Sequence, residues 1–279
     1  MYIVQVSCDA TQWEGLIADD GISSNVVGAL DGKHIFIQKL SNSGSMFYTY
    51  KHTFAIQLLA LVDADYNFIY VDVGCQGRIG DAGVFHHSSL SKALAQNTLG
   101  IPDRTLLPNS STQCSYTLLA DEAFPLTTYL MKPYARRGLT VRERIFNYRL
   151  SRARRVVENA FGILAHRFRI FLQPVVLHPS KVTDVVLAAV TLHNFLKQTA
   201  TNGSSYLGDG EVDVEDVSTG TVVQGNWRGD KSSRGMVNVL PVRGNQRSNA
   251  KAMHDELAEY FVNEGSVSWQ WQHAHSVSL

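Results

Sequence analysis

Phe146, Leu150, Ala153, Val157, Phe161, Leu164 and Phe168 recur at steps of four and three residues. That spacing puts all of them on one face of a single α-helix, and an apolar stripe of this length faces a core. Two runs upstream read as strands. HTFAIQLLALVD (52–63) and FIYVDVGC (68–75) are rich in β-branched and large apolar residues and flank the turn-like ADYN (64–67), the pattern of an antiparallel hairpin. VVGALDGKHIFI (26–37) reads as a further strand, interrupted at Asp31-Gly32. SYTLLAD (115–121) is a short strand of buried type that ends in Asp121. Between them, GDAGVFHHSSLSKALAQN (80–97) has helix-compatible composition, with Asp81 as its cap. The resulting order is strand, strand, strand, helix, strand, helix, which predicts an α/β chain with helices packed on a sheet.

The long helix begins at Val141, and a second opens at Pro179-Ser180 and covers 181–198. Residues 200–235 are rich in Gly, Ser, Asn and Asp and read as a loop or insertion. NAKAMHDELAEYFVNEG (249–265) is a last amphipathic helix. The expected division is a remnant N-terminal segment (1–25), a catalytic domain (26–199), a flexible loop or insertion (200–243), and a C-terminal helix and tail (244–279) packed on that domain.

The 279 residues sum to a net charge of zero, but the charge is unevenly placed. From Lys132 to Arg169 eleven basic residues face only Glu143 and Glu158, a local charge of +9. The rest of the chain must offset this, and DGEVDVED at 209–216 is a visible contributor. A block of one sign predicts a polyanionic partner, with Arg142, Arg149, Arg152, Arg154 and Arg155 as the residues to meet it. Some of these arginines can instead fold back onto acids elsewhere in the chain. The longest apolar runs are too short to span a bilayer, and no basic region followed by a long apolar stretch marks the N-terminus as a secretory signal. Three scattered cysteines, Cys8, Cys75 and Cys114, support neither a disulfide framework nor a structural zinc site, so a reducing compartment is expected.

Three acids stand at positions that suit chemistry. Asp31 lies in the first strand, Asp121 ends a later one, and Glu158 sits at the edge of the helical stripe, with the small residues Gly162 and Ala165 following on its face. Converging on one point, they would suit a pair of Mg²⁺ or Mn²⁺ ions, which take hard oxygen ligands. Each also has a plainer reading. Asp31 and Asp121 can be turn residues, and Glu158 can pair with Arg154 one turn before it. His86-His87 is a poor facial pair for a metal, and His193 reads as a core histidine. His166 and Arg167 lie close enough after Glu158 to reach a phosphate bound beside it.

The segments GALDGKHI, LLADEAFPL, VENAFGILAHRFRIF, LHNFL and NAKAMHDELAEYF…VSWQW, in that order, resemble the PIF/Harbinger class of DDE transposases and the nucleases derived from them. The resemblance covers nearly the whole chain from Val27. It implies a ribonuclease H-like fold, a mixed sheet flanked by helices, and a triad of acids binding two Mg²⁺ or Mn²⁺ ions. Matched position by position, the triad falls on Asp31, Asp121 and Glu158, the last two separated by 36 residues. Asp81, in GRIGDAGVF, is an additional candidate acid; the strand-end position favours Asp121 for the triad. Family members place a DNA-recognising helical region before the catalytic domain, where this sequence has only about 25 residues. A truncated product, or dependence on a separate DNA-binding partner protein, is the corresponding expectation.

The resemblance thus implies a metal-dependent endonuclease acting on double-stranded DNA in the nucleus, with the cytoplasm and a homodimer left open and no membrane partner. The rival from another class is a catalytically inactive remnant that binds DNA or protein as a scaffold. A ribonuclease or phosphodiesterase on the same framework differs in substrate only.

Overall fold

The structure is a computed structural model that describes residues 25–39, 43–102, 104–135, 137–199, 206–216, 218–229, 235–238 and 248–276. The N-terminal segment 1–24, with Cys8, and Arg136 lie outside the described residues.

Three consecutive antiparallel strands open the fold: β1 (Val26–Phe36), β2 (Ala55–Val62) and β3 (Phe68–Gln76). Two short helices follow, α1 (Asp81–His87) and α2 (Ser89–Ala95), and then a small hairpin of β4 (Thr105–Leu106) and β5 (Gln113–Cys114). Strand β6 (Thr117–Leu119) returns parallel to β1, and β7 (Leu130–Met131) pairs parallel to β6. After the long helix α3 (Val141–Arg167) come α4 (Pro179–Thr199), the hairpin β8 (Val214–Asp216) and β9 (Thr221–Val223), and β10 (Met236–Asn238). Helices α5 (Ser248–Val262) and α6 (Gln270–Ser276) close the described chain. The main sheet runs β3-β2-β1-β6-β7 with β10 also on β1. A mixed α/β sheet flanked by helices is the architecture that a ribonuclease H-like fold requires.

Every residue of β1 and β2 is buried, because helices cover both faces of the sheet. Ile56, Leu58, Ala60 and Val62 of β2 pack toward α3 and α4, while Leu59 and Leu61 pack toward α1 and α2, the alternation of a strand sandwiched between layers. β1 is not interrupted at Asp31-Gly32, contrary to the sequence reading. Asp-Gly has turn chemistry, but here it lies mid-strand with Asp31 opposite Ala60 and Gly32 opposite Leu59.

The helical stripe is buried as its spacing requires, yet it serves two cores. Phe146, Leu150 and Ala153 pack with α5 and α6 residues such as Phe261 and Ala274, whereas Val157, Phe161 and Leu164 pack on the sheet and α4. Thr140 starts α3 with a capping box shared with Glu143. In α4 the side chain of Asn194 brackets the backbone of Phe68, accepting from its N–H at 3.0 Å and donating to its C=O at 2.9 Å. The adjacent His193 contacts the carbonyl of Tyr66 at 2.9 Å and the hydroxyl of Tyr206 at 3.1 Å, and burial pushes its pKa down to about 4. His193 is thus a satisfied core histidine. Truncating Phe161, fully buried against Phe68, removes contacts from the sheet–α3 interface. Phe161→Ala is expected to lower unfolding stability by about 3–5 kcal/mol in urea titrations.

Candidate functional site

The two partners on the outer side of β1 do not meet. β6 pairs along Val26–Ala29 and β10 along Lys33–Ile35. The unpaired stretch between them contains Asp31. Parallel register matches Ala29 to Leu119, so continuing it by two residues carries Asp121 beside Asp31, about one strand spacing away. Asn238 at the end of β10 approaches the same gap from the opposite direction, opposite Lys33. Two acids separated by 90 positions in the sequence are thus brought within electrostatic reach of each other.

Arg154, on the α3 face that covers this gap, has its guanidinium 3.8 Å from Asp31 Oδ1. Lys33 places Nζ 3.6 Å from Asp31 Oδ2 and also donates to Asn238 Oδ1. Asp121 accepts from the N–H of Ala123 at 2.8 Å. Its pKa is raised, first by burial and also by the Asp31 charge, with Arg154 opposing that rise.

Asp81 does not cap α1. Gly80 occupies the cap position without a side-chain bond, and Asp81 begins the helix almost wholly buried. Its Oδ1 accepts from Gln57 Nε2, while its Oδ2 is buried without a partner. The carboxylate rests against Gly32, where any β-carbon would collide with it. Because Gly32 faces the α1 side of β1, Asp81 approaches from the sheet face opposite Asp31. Burial, then the charges of Asp31 and Asp121, push its pKa up to about 8.

Glu158 sits one helical turn beyond Arg154, about 6 Å along the axis. The salt bridge of the plainer reading exists, but with a different arginine: Arg228 Nη2 lies 3.7 Å from Glu158 Oε2. Glu158 opens onto a cavity of about 200 Å³ that Lys33, His166, Trp227, Arg228 and Asn238 also line. The space beside Gly162 is filled by the chain itself, because the indole of Trp227 lies where a β-carbon would be. Lys33, which touches Asp31 and lines this cavity, links the two acidic positions. Among the described residues no group of three or more His, Cys, Asp or Glu side chains is arranged to hold a metal ion.

The arginines of α3 divide by environment. Arg149 is 1 % exposed, donates to Gly265 O at 2.6 Å and Gln270 Oε1 at 3.1 Å, and stacks on Phe261. Arg152 is buried against Trp269. Neither presents its guanidinium to a phosphate backbone, because the stripe's flank is covered by α5 and α6. Arg142 pairs with Glu259 at 2.9 Å. Arg155 pairs with Glu215 at 2.7 Å and Arg167 with Glu211 at 3.2 Å. The acidic run 209–216 thus pairs directly with two of the arginines on the basic helix. Within that segment Asp213 grips Arg228 through Nε at 2.9 and 2.8 Å, and Asn159, beside Glu158, accepts from the Asp213 N–H at 3.1 Å and from Trp227 Nε1 at 3.2 Å. Trp227, Arg228 and Asn238 carried no local signal in the sequence; only the acidic composition of 209–216 hinted that this segment meets the arginines.

The family description "DDE superfamily endonuclease" matches residues 30–194, a span that contains Asp31, Asp81, Asp121 and Glu158. "Protein ALP1-like" of Arabidopsis thaliana is 26% identical over 176 residues, covering 62% of this chain and 43% of that protein. The chain therefore spans less than half the length of the curated relative it matches. No solved structure matches it.

The environment of Asp81 has a consequence for stability. Its folded pKa lies above its unfolded one, so the native state binds more protons than the unfolded state between about pH 4 and 8, and stability falls as pH rises through that window. Asp81→Asn keeps the oxygen that Gln57 bonds. It is expected to be more stable than the parent at pH 8, with the difference closing toward pH 4, in paired denaturant titrations.

Proposed function

The chain belongs to the DDE superfamily endonucleases, and from that premise we propose that it cuts phosphodiester bonds in double-stranded DNA by the Harbinger-type reaction. The observation that carries the reading is the gap in the β1 pairing, toward which the register of β1 and β6, continued two residues past Ala29 and Leu119, directs both Asp31 and Asp121. Their oxygens are hard donors, the type that Mg²⁺ and Mn²⁺ require, and the unpartnered Oδ2 of Asp81 adds a third buried carboxylate to the same electrostatic cluster. Asp31 and Asp121 would hold the divalent ions, with Glu158 reaching them from α3. When bound, such ions supply an activated water and stabilise the departing oxygen.

The chain's own residues have definable tasks around that pair. Arg154 and Lys33 balance the Asp31 charge, which lets adjacent carboxylates share a buried site. Arg228 balances Glu158 and keeps it at the mouth of the cavity. The side chains that face the cavity from β1, α3 and β10 would orient the DNA strand relative to the acids. A nuclear location follows from the substrate and forms part of the proposal, as does reliance on a separate DNA-binding protein.

One observation favours the rival scaffold reading: Glu158 is paired with Arg228. The readings separate on supercoiled plasmid incubated with Mn²⁺. Nicking that disappears with chelator, and falls more than ~100-fold in Asp31→Asn, exceeds the loss typical of a group that only orients a ligand and supports the nuclease. DNA binding with no nicking at any ion concentration selects the scaffold.

A further inference from the structure

The cavity beside Glu158 is lined by fixed charges. Glu158 faces two permanent cations, Lys33 and Arg228, each held in place by a further carboxylate (Asp31 and Asp213), with His166 and the Asn238 amide completing the polar lining. The cations arrive from unrelated parts of the chain, one from β1 and the other from the segment after β9. Arg228 is held rigidly: Asp213 binds its guanidinium, Trp227 stacks on it at 4.3 Å, and Gly225 N–H fixes Asp213 at 2.8 Å. Asn159 then fastens this assembly to α3 next to Glu158. Lys33 is likewise fixed, between Asn238 and Asp31 and above the Phe161 ring. A rigid guanidinium and an ammonium aimed into one small space form a preorganised anion seat, in which the donors need not be ordered when the anion arrives.

We propose that this cavity seats a backbone phosphate of the DNA strand, with Lys33 and Arg228 as its two cationic contacts and Glu158 opposing them. The proposal rests on the nuclease reading only for the choice of DNA as the source of the phosphate. It also reassigns the phosphate contacts: the buried Arg149 and Arg152 take no part, and an arginine lying 70 residues beyond Glu158 replaces them. Asn159 and Gly162 of the VENAFG motif gain a role here, because one fastens and the other admits the segment that carries Arg228.

The test is binding of a short labelled duplex to the full chain in chelator, followed by anisotropy across a salt series. Loss of one phosphate contact should weaken binding about eight-fold near 0.1 M salt and reduce the slope of log affinity against log salt by about one. Lys33→Gln and Arg228→Gln are each expected to show that loss, whereas Lys92→Gln, on α2 behind the sheet, should leave the slope unchanged. Glu158→Gln should tighten binding, a change of opposite sign that misfolding cannot produce. Unchanged slopes in either cavity variant, or no gain in Glu158→Gln, would overturn the proposal. A parallel arm with inorganic phosphate alone distinguishes the sources. A melting shift by phosphate that both cavity variants abolish, alongside unaltered duplex binding, would mean that the seat serves free phosphate and not DNA. No divalent ion is present in the assay, so failure of plasmid cleavage leaves its outcome untouched.

Discussion

The parallel pairing of β1 with β6 is the constraint on which the site depends. It brings Asp121 to Asp31 across a separation that no local interaction could span. Short as it is, β6 cannot follow β1 for its full length, and β10 arrives from the other end without closing the interval. The interval leaves part of the strand edge open beneath α3. A sheet whose strands are buried on both faces has few places where polar groups can gather, and an interrupted edge is one of them.

Holding carboxylates in such a place requires positive charge. Asp31 has Arg154 and Lys33, Asp121 has Arg154, and Glu158 has Arg228. Asp81 is the exception, with a glutamine as its partner and a raised pKa as the consequence. The basic block of the sequence is thus not a continuous DNA-facing surface. Part of it balances the acids of the site, part is sequestered under α5 and α6, and part is answered by Glu211 and Glu215. Surface ion pairs of this kind contribute little individually, but the Arg155–Glu215 pair is more enclosed and, with the Asp213 and Asn159 contacts, gives residues 206–216 and 218–229 a defined place across α3.

What the sequence revealed follows from which signals are local. The hairpin of β2 and β3, the start of α3 at Val141 and the burial of Phe146 through Leu164 were legible because hydrophobic period and turn chemistry act over a few residues. The positions of Asp31, Asp121 and Glu158 came from motif resemblance, and their surroundings did not. Asp31-Gly32 looked like a turn because nothing nearby shows that Gly32 must be small to admit Asp81. Asp81 looked like a cap because helix-start composition is shared by caps and by buried first-turn acids. Arg149 looked solvent-facing because its cover comes from helices more than a hundred positions away. The stretch read as a loop or insertion supplies Trp227, Arg228 and β10, contacts that composition alone does not encode.

The central claim is that Asp31 and Asp121 form one metal-holding pair at the open edge of β1. A crystal soaked in Mn²⁺ and measured at the manganese absorption edge tests it most directly. The account requires an anomalous peak between the Asp31 and Asp121 carboxylates that disappears in Asp121→Asn. Saturating manganese with no density at these oxygens, or a peak that survives that substitution, would contradict it.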